Sequence, residues 1–251
     1  MCQEPVPPIS NKEHTSPGAA ERTWVERWLS SERFAPYLAA CDDDTERALN
    51  LYEWNASLAQ ALMRDICHFE IALRNAYDRV MGESWEGDWL LDDASPARVP
   101  LMRKSGRGEL DANYMNRRII DGAAAGLPKE FPHGALVASL TLGFWVHLTD
   151  RSRETVIWRT HLYRAWPKGT RRKDLQRSLN RILRIRNRAA HAERLFNPSN
   201  TELSPLSAAS DAMRMLGDLC PEAAKRLYGD GGTTPVELFC KDNPAPAYVS
   251  L

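Results

Sequence analysis

Arg186-Asn187-Arg188-Ala189-Ala190-His191 places an arginine, a carboxamide and a histidine within six residues. Each of these types has a use on a phosphodiester. A guanidinium forks onto two phosphate oxygens. An imidazole moves a proton near neutral pH. A carboxamide both donates and accepts, so it can hold either neighbour in place. Together they fit phosphoryl transfer without a metal, with arginine holding the charge and histidine handling the proton.

The element that must position them reads as a helix from Lys173 to Phe196, stopped at Asn197-Pro198, where proline forbids continuation. Leu175, Leu179, Ile182, position 186 and Ala189 form one stripe at three- and four-residue steps. Arg186 therefore stands where an apolar residue is due, and a guanidinium there needs partners or solvent. Leu183, Asn187, His191 and Leu195 form a second line, so Asn187 and His191 share a face. The helix is strongly basic. Arg177, Arg181, Arg184, Arg188 and Arg194 are candidate RNA-binding residues, with only Asp174 and Glu193 as acids in the same span. Such a stripe attracts phosphate and makes binding salt-dependent. The alternative is a solvated face paired with acidic helices elsewhere.

The rest of the chain reads as helical support. Residues 1–22 form a proline-rich, disordered tail. Helical patterning begins near Thr23, and Ser30-Ser31-Glu32 reads as a cap or turn. Asp42-Asp43-Asp44 suits a helix N-terminus. From Thr45 to Met81 apolar residues from Leu49 to Val80 recur at helical spacing and predict one long helix. Residues 82–100 read as a partly packed loop, and Arg103 to Gly108 as a basic, glycine-containing loop. Further helices are predicted over Leu110–Ala125, Ala135–Thr149 and Asp211–Tyr228, with a short turn-rich piece over Glu154–Tyr163. The expected fold is all-α: one helical domain over residues 23–228, followed by a mobile tail over 229–251.

Composition sets limits. The 251 residues carry 33 basic and 33 acidic side chains, so any pull on nucleic acid or membrane must be local. Five scattered cysteines, without a CxxC pair, point away from a disulfide framework or zinc knuckle. The first residues lack a signal-peptide pattern, and Ala135–Leu148 is too short to span a bilayer. The reading is a cytoplasmic protein with no metal, no cofactor and no membrane contact.

Other polar residues have weaker patterns. Glu70 and Arg74 are spaced for a local ion pair, and with Asn75 they are candidates to support the site by holding Arg186 or touching RNA. Glu193 is a further supporting candidate, although on a continuous helix it lies about 200° round from His191. His133 and His161 lack zinc spacing, and His68 and His147 read as structural. Trp54, Trp145 and Trp158 read as core. Tyr163 and Trp166 near Lys168 loosely fit a base-stacking platform. Asn55-Ala56-Ser57 matches a glycosylation sequon, which on a cytosolic helix carries no function.

The Arg186–His191 run resembles the Arg-polar-x-x-x-His motif of HEPN ribonucleases. Leu183 to Asn197 resembles the Abi-like (abortive infection) branch of that superfamily, as do Leu51–Leu58, Phe69–Ala76 and Leu140–Trp145, in order. The resemblance covers roughly residues 24–200. It implies a HEPN-type helical bundle that forms a homodimer with a composite active site. It also implies a metal-independent endoribonuclease, a toxin of abortive infection or of a toxin–antitoxin pair with an RNA or protein antitoxin. On this chain Arg186 would bind the scissile phosphate, His191 would transfer a proton, and Asn187 would orient them. Attack by the ribose 2′-OH would leave a 2′,3′-cyclic phosphate, and the partner copy would supply a second histidine. Many relatives carry another histidine at the next position, where this chain has Ala192. The alternatives are a catalytically inactive helical RNA-binding module or a protein-binding dimer of the same fold.

Overall fold

Apolar spacing sustained for many turns makes the longest element, helix α3 (Thr45–Gly82). The Asp44 carboxylate accepts the Arg47 N–H at 3.0 Å, which caps the first turn. The computed structural model describes residues 17–251 other than 107, 199 and 200. Residues 1–16 of the expected tail lie outside the described residues. Residues 17–22 do not continue that tail, because they begin helix α1 (Pro17–Leu29).

The chain divides into two compact units, one ending at Trp54 and one starting at Asn55. In the first, α1 is followed by α2 (Ser31–Ala40), whose N-cap Ser30 accepts the Arg33 N–H at 3.4 Å. Its interior is Val25, Leu29, Phe34 and Tyr37, with Tyr52 edge-on to both Trp28 and Tyr37.

The second unit is built on the remaining turns of α3. Leu58, Leu62, Ile66, Phe69, Leu73 and Tyr77 are fully buried at three- and four-residue steps. Residues 102–111, expected as a loop and the first turn of a helix, form an antiparallel hairpin of β1 (Met102–Ser105) and β2 (Gly108–Asp111). Gly106, at φ 60°, makes its reversal possible. Helix α4 consequently starts at Tyr114 and ends at Ala125. The apolar run after Pro132 is two helices, α5 (His133–Ser139) and α6 (Leu142–His147), because Leu140 and Thr141 are extended. Arg153, almost fully buried, donates to Asn113 Oδ1 (3.0 Å), Asn116 Oδ1 (3.1 Å) and the His147 carbonyl (3.0 Å), tying hairpin, α4 and α6 together.

Helices α7 (Arg172–Ala190), α8 (Pro205–Leu219), α9 (Pro221–Tyr228) and α10 (Pro235–Asp242) complete the unit, with α8 packed against α7, α9 and α10. Residues 229–251 are thus not a plain mobile tail. Thr234 and Glu237 close a capping box at α10, Val236 is buried, and Ser250 and Asn197 exchange hydrogen bonds of 2.7 and 2.8 Å. The described chain is all-α apart from the hairpin. Among the described residues no disulfide forms, and no helix is long and apolar enough to cross a membrane.

Candidate active site

Helix α7 places the motif, and the way it ends decides the geometry. Leu175, Leu179, Ile182, Ile185 and Ala189 are its buried residues. Arg186, four residues beyond Ile182 and seven beyond Leu179, lies on that side, as its spacing predicts. It is only partly buried. Its Nη1 donates to Asn187 Oδ1 at 3.3 Å, and its Nε is enclosed without a hydrogen-bond partner. An enclosed guanidinium N–H with no acceptor is costly, and a phosphate oxygen would satisfy it.

The helix does not reach Phe196. It stops after Ala190 because Ala192 turns left-handed, at φ 52°. Ala192 N–H donates to the Ala189 carbonyl (3.1 Å) and Glu193 N–H to the Arg188 carbonyl (2.9 Å), the two bonds of a Schellman ending. Glycine is usual there, and its absence is why the sequence hides the stop. His191 becomes the C-cap, exposed, at φ −92° and ψ 11°, with its N–H on the Asn187 carbonyl at 3.0 Å. It still follows Asn187 by one turn, but the direction of its imidazole is set by a turn rather than by a helix.

The same turn relocates Glu193. Off the helix, it ion-pairs with Arg188 at 3.5 Å instead of lying round the helix from His191. Beyond it Leu195 and Phe196 are fully buried and anchor the chain. Asn55 of α3 completes the anchorage. Only 3% exposed, it accepts the Leu195 N–H at 2.7 Å and donates to the Glu193 carbonyl at 3.2 Å. Its sequon had concealed a clear sign: Asn55 lies in line with Leu51, Leu58 and Leu62, where an apolar residue is due.

The supporting trio on α3 is not drawn to the motif. Among the described residues no ion pair joins Glu70 to Arg74 or to Arg186. Arg74 donates to the Ala138 carbonyl at 3.4 Å. Asn75 lines a cavity of about 300 Å³ with Leu216, Leu219 and Leu227.

The basic stripe is largely neutralised. Arg181 meets Asp211 of α8 at 2.5 Å, with the side chains 21% and 13% exposed. Arg177 pairs with Asp174 at 3.6 Å, and Arg188 with Glu193 and the Arg194 carbonyl. Arg184 and Arg194 remain exposed. Arg177, Asn180, Arg181 and Arg184 line a cavity of about 120 Å³ with Glu202. Asp211 lies outside the basic span, so a count of charges within that span missed it. The stacking platform does not form, because Trp166 is buried and donates to Tyr77 Oη at 3.2 Å while Tyr163 is exposed.

The histidines expected to be structural or unpartnered divide. His133 lies 2.7 Å from Asp78 and 2.9 Å from Asp88, one carboxylate at each ring nitrogen. Burial lowers its pKa, but hydrogen bonds to Asp78 and Asp88 outweigh that and raise it above the ordinary value. His161 is held low by burial and by Arg164. Among the described residues no three His, Cys, Asp or Glu side chains gather as a metal-binding group.

The described chain is helical apart from one hairpin, and it offers an arginine, a carboxamide and a histidine at the end of one helix. The chain belongs to the Abi-like protein family, whose model matches residues 33–197, more than half of its length. Neither a curated protein nor a solved structure matches it.

Proposed function

We propose that this Abi-like protein is a metal-independent endoribonuclease of the HEPN type, acting as an abortive-infection or toxin–antitoxin toxin in the cytoplasm. The observation that supports this most is Arg186, whose enclosed, partnerless Nε lies beside Asn187 and one turn before an exposed His191. Arg186 binds the scissile phosphate and stabilises the charge that grows on it. One His191 takes the proton of the ribose 2′-OH. The 2′ oxygen attacks phosphorus, the bond to the 5′ oxygen breaks, and a second His191 protonates the leaving oxygen. The products are a 2′,3′-cyclic phosphate and a 5′-OH. The second histidine comes from a second copy in a homodimer. Exposed Arg184 and Arg194 contact neighbouring phosphates.

The test is incubation of RNA in EDTA with wild type, Arg186→Ala and His191→Ala. Wild type cleaves, and each variant loses about 100-fold or more of the rate while staying folded. Cleavage that survives in His191→Ala contradicts the reading.

The pairing of Arg181, Arg177 and Arg188 with acids favours a second reading, a protein-binding dimer of the same fold without catalysis. In that case wild type neither binds nor cuts RNA, and Arg186→Ala breaks the dimer.

A further inference from the structure

We infer that Asn55 is the positioning residue for His191: its buried carboxamide holds the turn that carries the imidazole and fixes where the proton-transferring group points. The inference rests on the ribonuclease reading of the Arg186–His191 site.

Helix α7 controls the motif only as far as Ala190. Past that point His191 depends on what fixes the chain on either side of it. Upstream, three backbone bonds close the helix end: His191 to Asn187, Ala192 to Ala189 and Glu193 to Arg188. Downstream, the turn lies at the surface. His191, Ala192, Glu193 and Arg194 are all exposed, and Ala192 holds a left-handed conformation that its Cβ disfavours. The Arg188 bridge to Glu193 is open to water on its Glu193 side, which weakens it. Asn55 is different. It is buried, and it grips the carbonyl of residue 193 and the N–H of residue 195, as the backbone of a neighbouring strand would.

The side-chain requirement is narrow. One end must accept and the other donate, across the width of a single amide. Aspartate keeps the acceptor and turns the donor into a charge facing the Glu193 carbonyl. Alanine leaves both backbone groups without a partner. A positioned acid–base group loses rate steeply when it shifts, whereas binding contacts elsewhere on the RNA do not.

The experiment uses the full-length protein and its Asn55→Ala and Asn55→Asp variants, with three readouts. The first is amide exchange at Leu195 in wild type, which should be as slow as exchange within α7; fast exchange overturns the inference. The second is the set of His191 imidazole resonances by NMR, whose chemical shifts should move in both variants. The third is a rate-against-affinity split on RNA in EDTA. Single-turnover cleavage should fall by roughly 10- to 100-fold while RNA affinity stays within about twofold. In a His191→Ala background the Asn55 substitutions should cost nothing further. A lower melting temperature with unchanged imidazole chemical shifts and unchanged cleavage overturns the inference and leaves a merely structural residue. If wild type cuts no RNA, the ribonuclease reading fails, and the imidazole chemical shifts still decide whether Asn55 positions His191.

Discussion

Arg186 and Asp65 are among the described residues that carry an enclosed polar atom without a hydrogen-bond partner. Arg186 keeps an enclosed Nε without an acceptor, and Asp65 keeps an enclosed carboxylate oxygen without a donor. On the proposed ribonuclease reading, a phosphate oxygen would satisfy the first. The second carries a stability cost. Asp65 is 1% exposed, and its other oxygen accepts from Tyr228 at 3.0 Å. Burial, opposed by that bond, pushes its pKa up to about 6. The folded value is above the unfolded one, so this group favours the fold fully below about pH 4 and loses that contribution as pH rises through 6. Asp65→Asn should raise stability at pH 7 by on the order of 1–3 kcal/mol and leave it nearly unchanged at pH 4. Denaturant unfolding at the two pH values checks this, and an equal effect at both contradicts it. Ala192 supplies a second test. Its left-handed backbone costs about 1–2 kcal/mol in a residue with a Cβ. Ala192→Gly should stabilise the protein by about 0.5–1 kcal/mol, after the greater unfolded-state freedom of glycine is set against the relief. A lower melting temperature would rule out the strain.

The pairing between α7 and α8 is the element-scale counterpart. Arg181 and Asp211 are both mostly buried, and without Arg181 the Asp211 carboxylate keeps only the more exposed Arg214, at 3.1 Å. Arg181→Ala should cost about 2 kcal/mol of stability and lower the melting temperature. It should leave the salt dependence of RNA binding as it is, because the charge is already taken. A shallower salt slope with unchanged stability would return Arg181 to the RNA-binding stripe. Elements were legible where one signal was long. Helix α3 reads almost residue for residue, since its apolar spacing persists and an aspartate caps it. Other boundaries depended on single backbone torsions with no glycine or proline to mark them. The break at Leu140–Thr141 and the stop at Ala192 are both of that kind. The capping box at Thr234–Glu237 is present in the sequence, but the glycine-rich stretch just before it has the composition of a loop. At the site, Arg186 and Asn187 could be read from spacing alone. Asn55 and Asp211 could not be placed, because their partners lie 138 to 140 and 30 residues away.

At the scale of the whole molecule, each chain offers one motif histidine, and cleavage by 2′-OH attack uses one group to take a proton and another to give one. On the proposed reading, a homodimer would supply the second group. Cleavage per chain should then fall as dilution separates the dimer, measured alongside the mass in solution. A constant rate per chain in a demonstrably monomeric sample excludes a composite site. The family match across residues 33–197 supports the abortive-infection setting, and the motif supports the chemistry. The most direct measurement is the chemistry of the RNA ends made by wild type in EDTA. The account predicts 2′,3′-cyclic phosphate and 5′-OH ends that disappear in His191→Ala. Ends bearing 3′-OH and 5′-phosphate, or the same ends from His191→Ala, would contradict it.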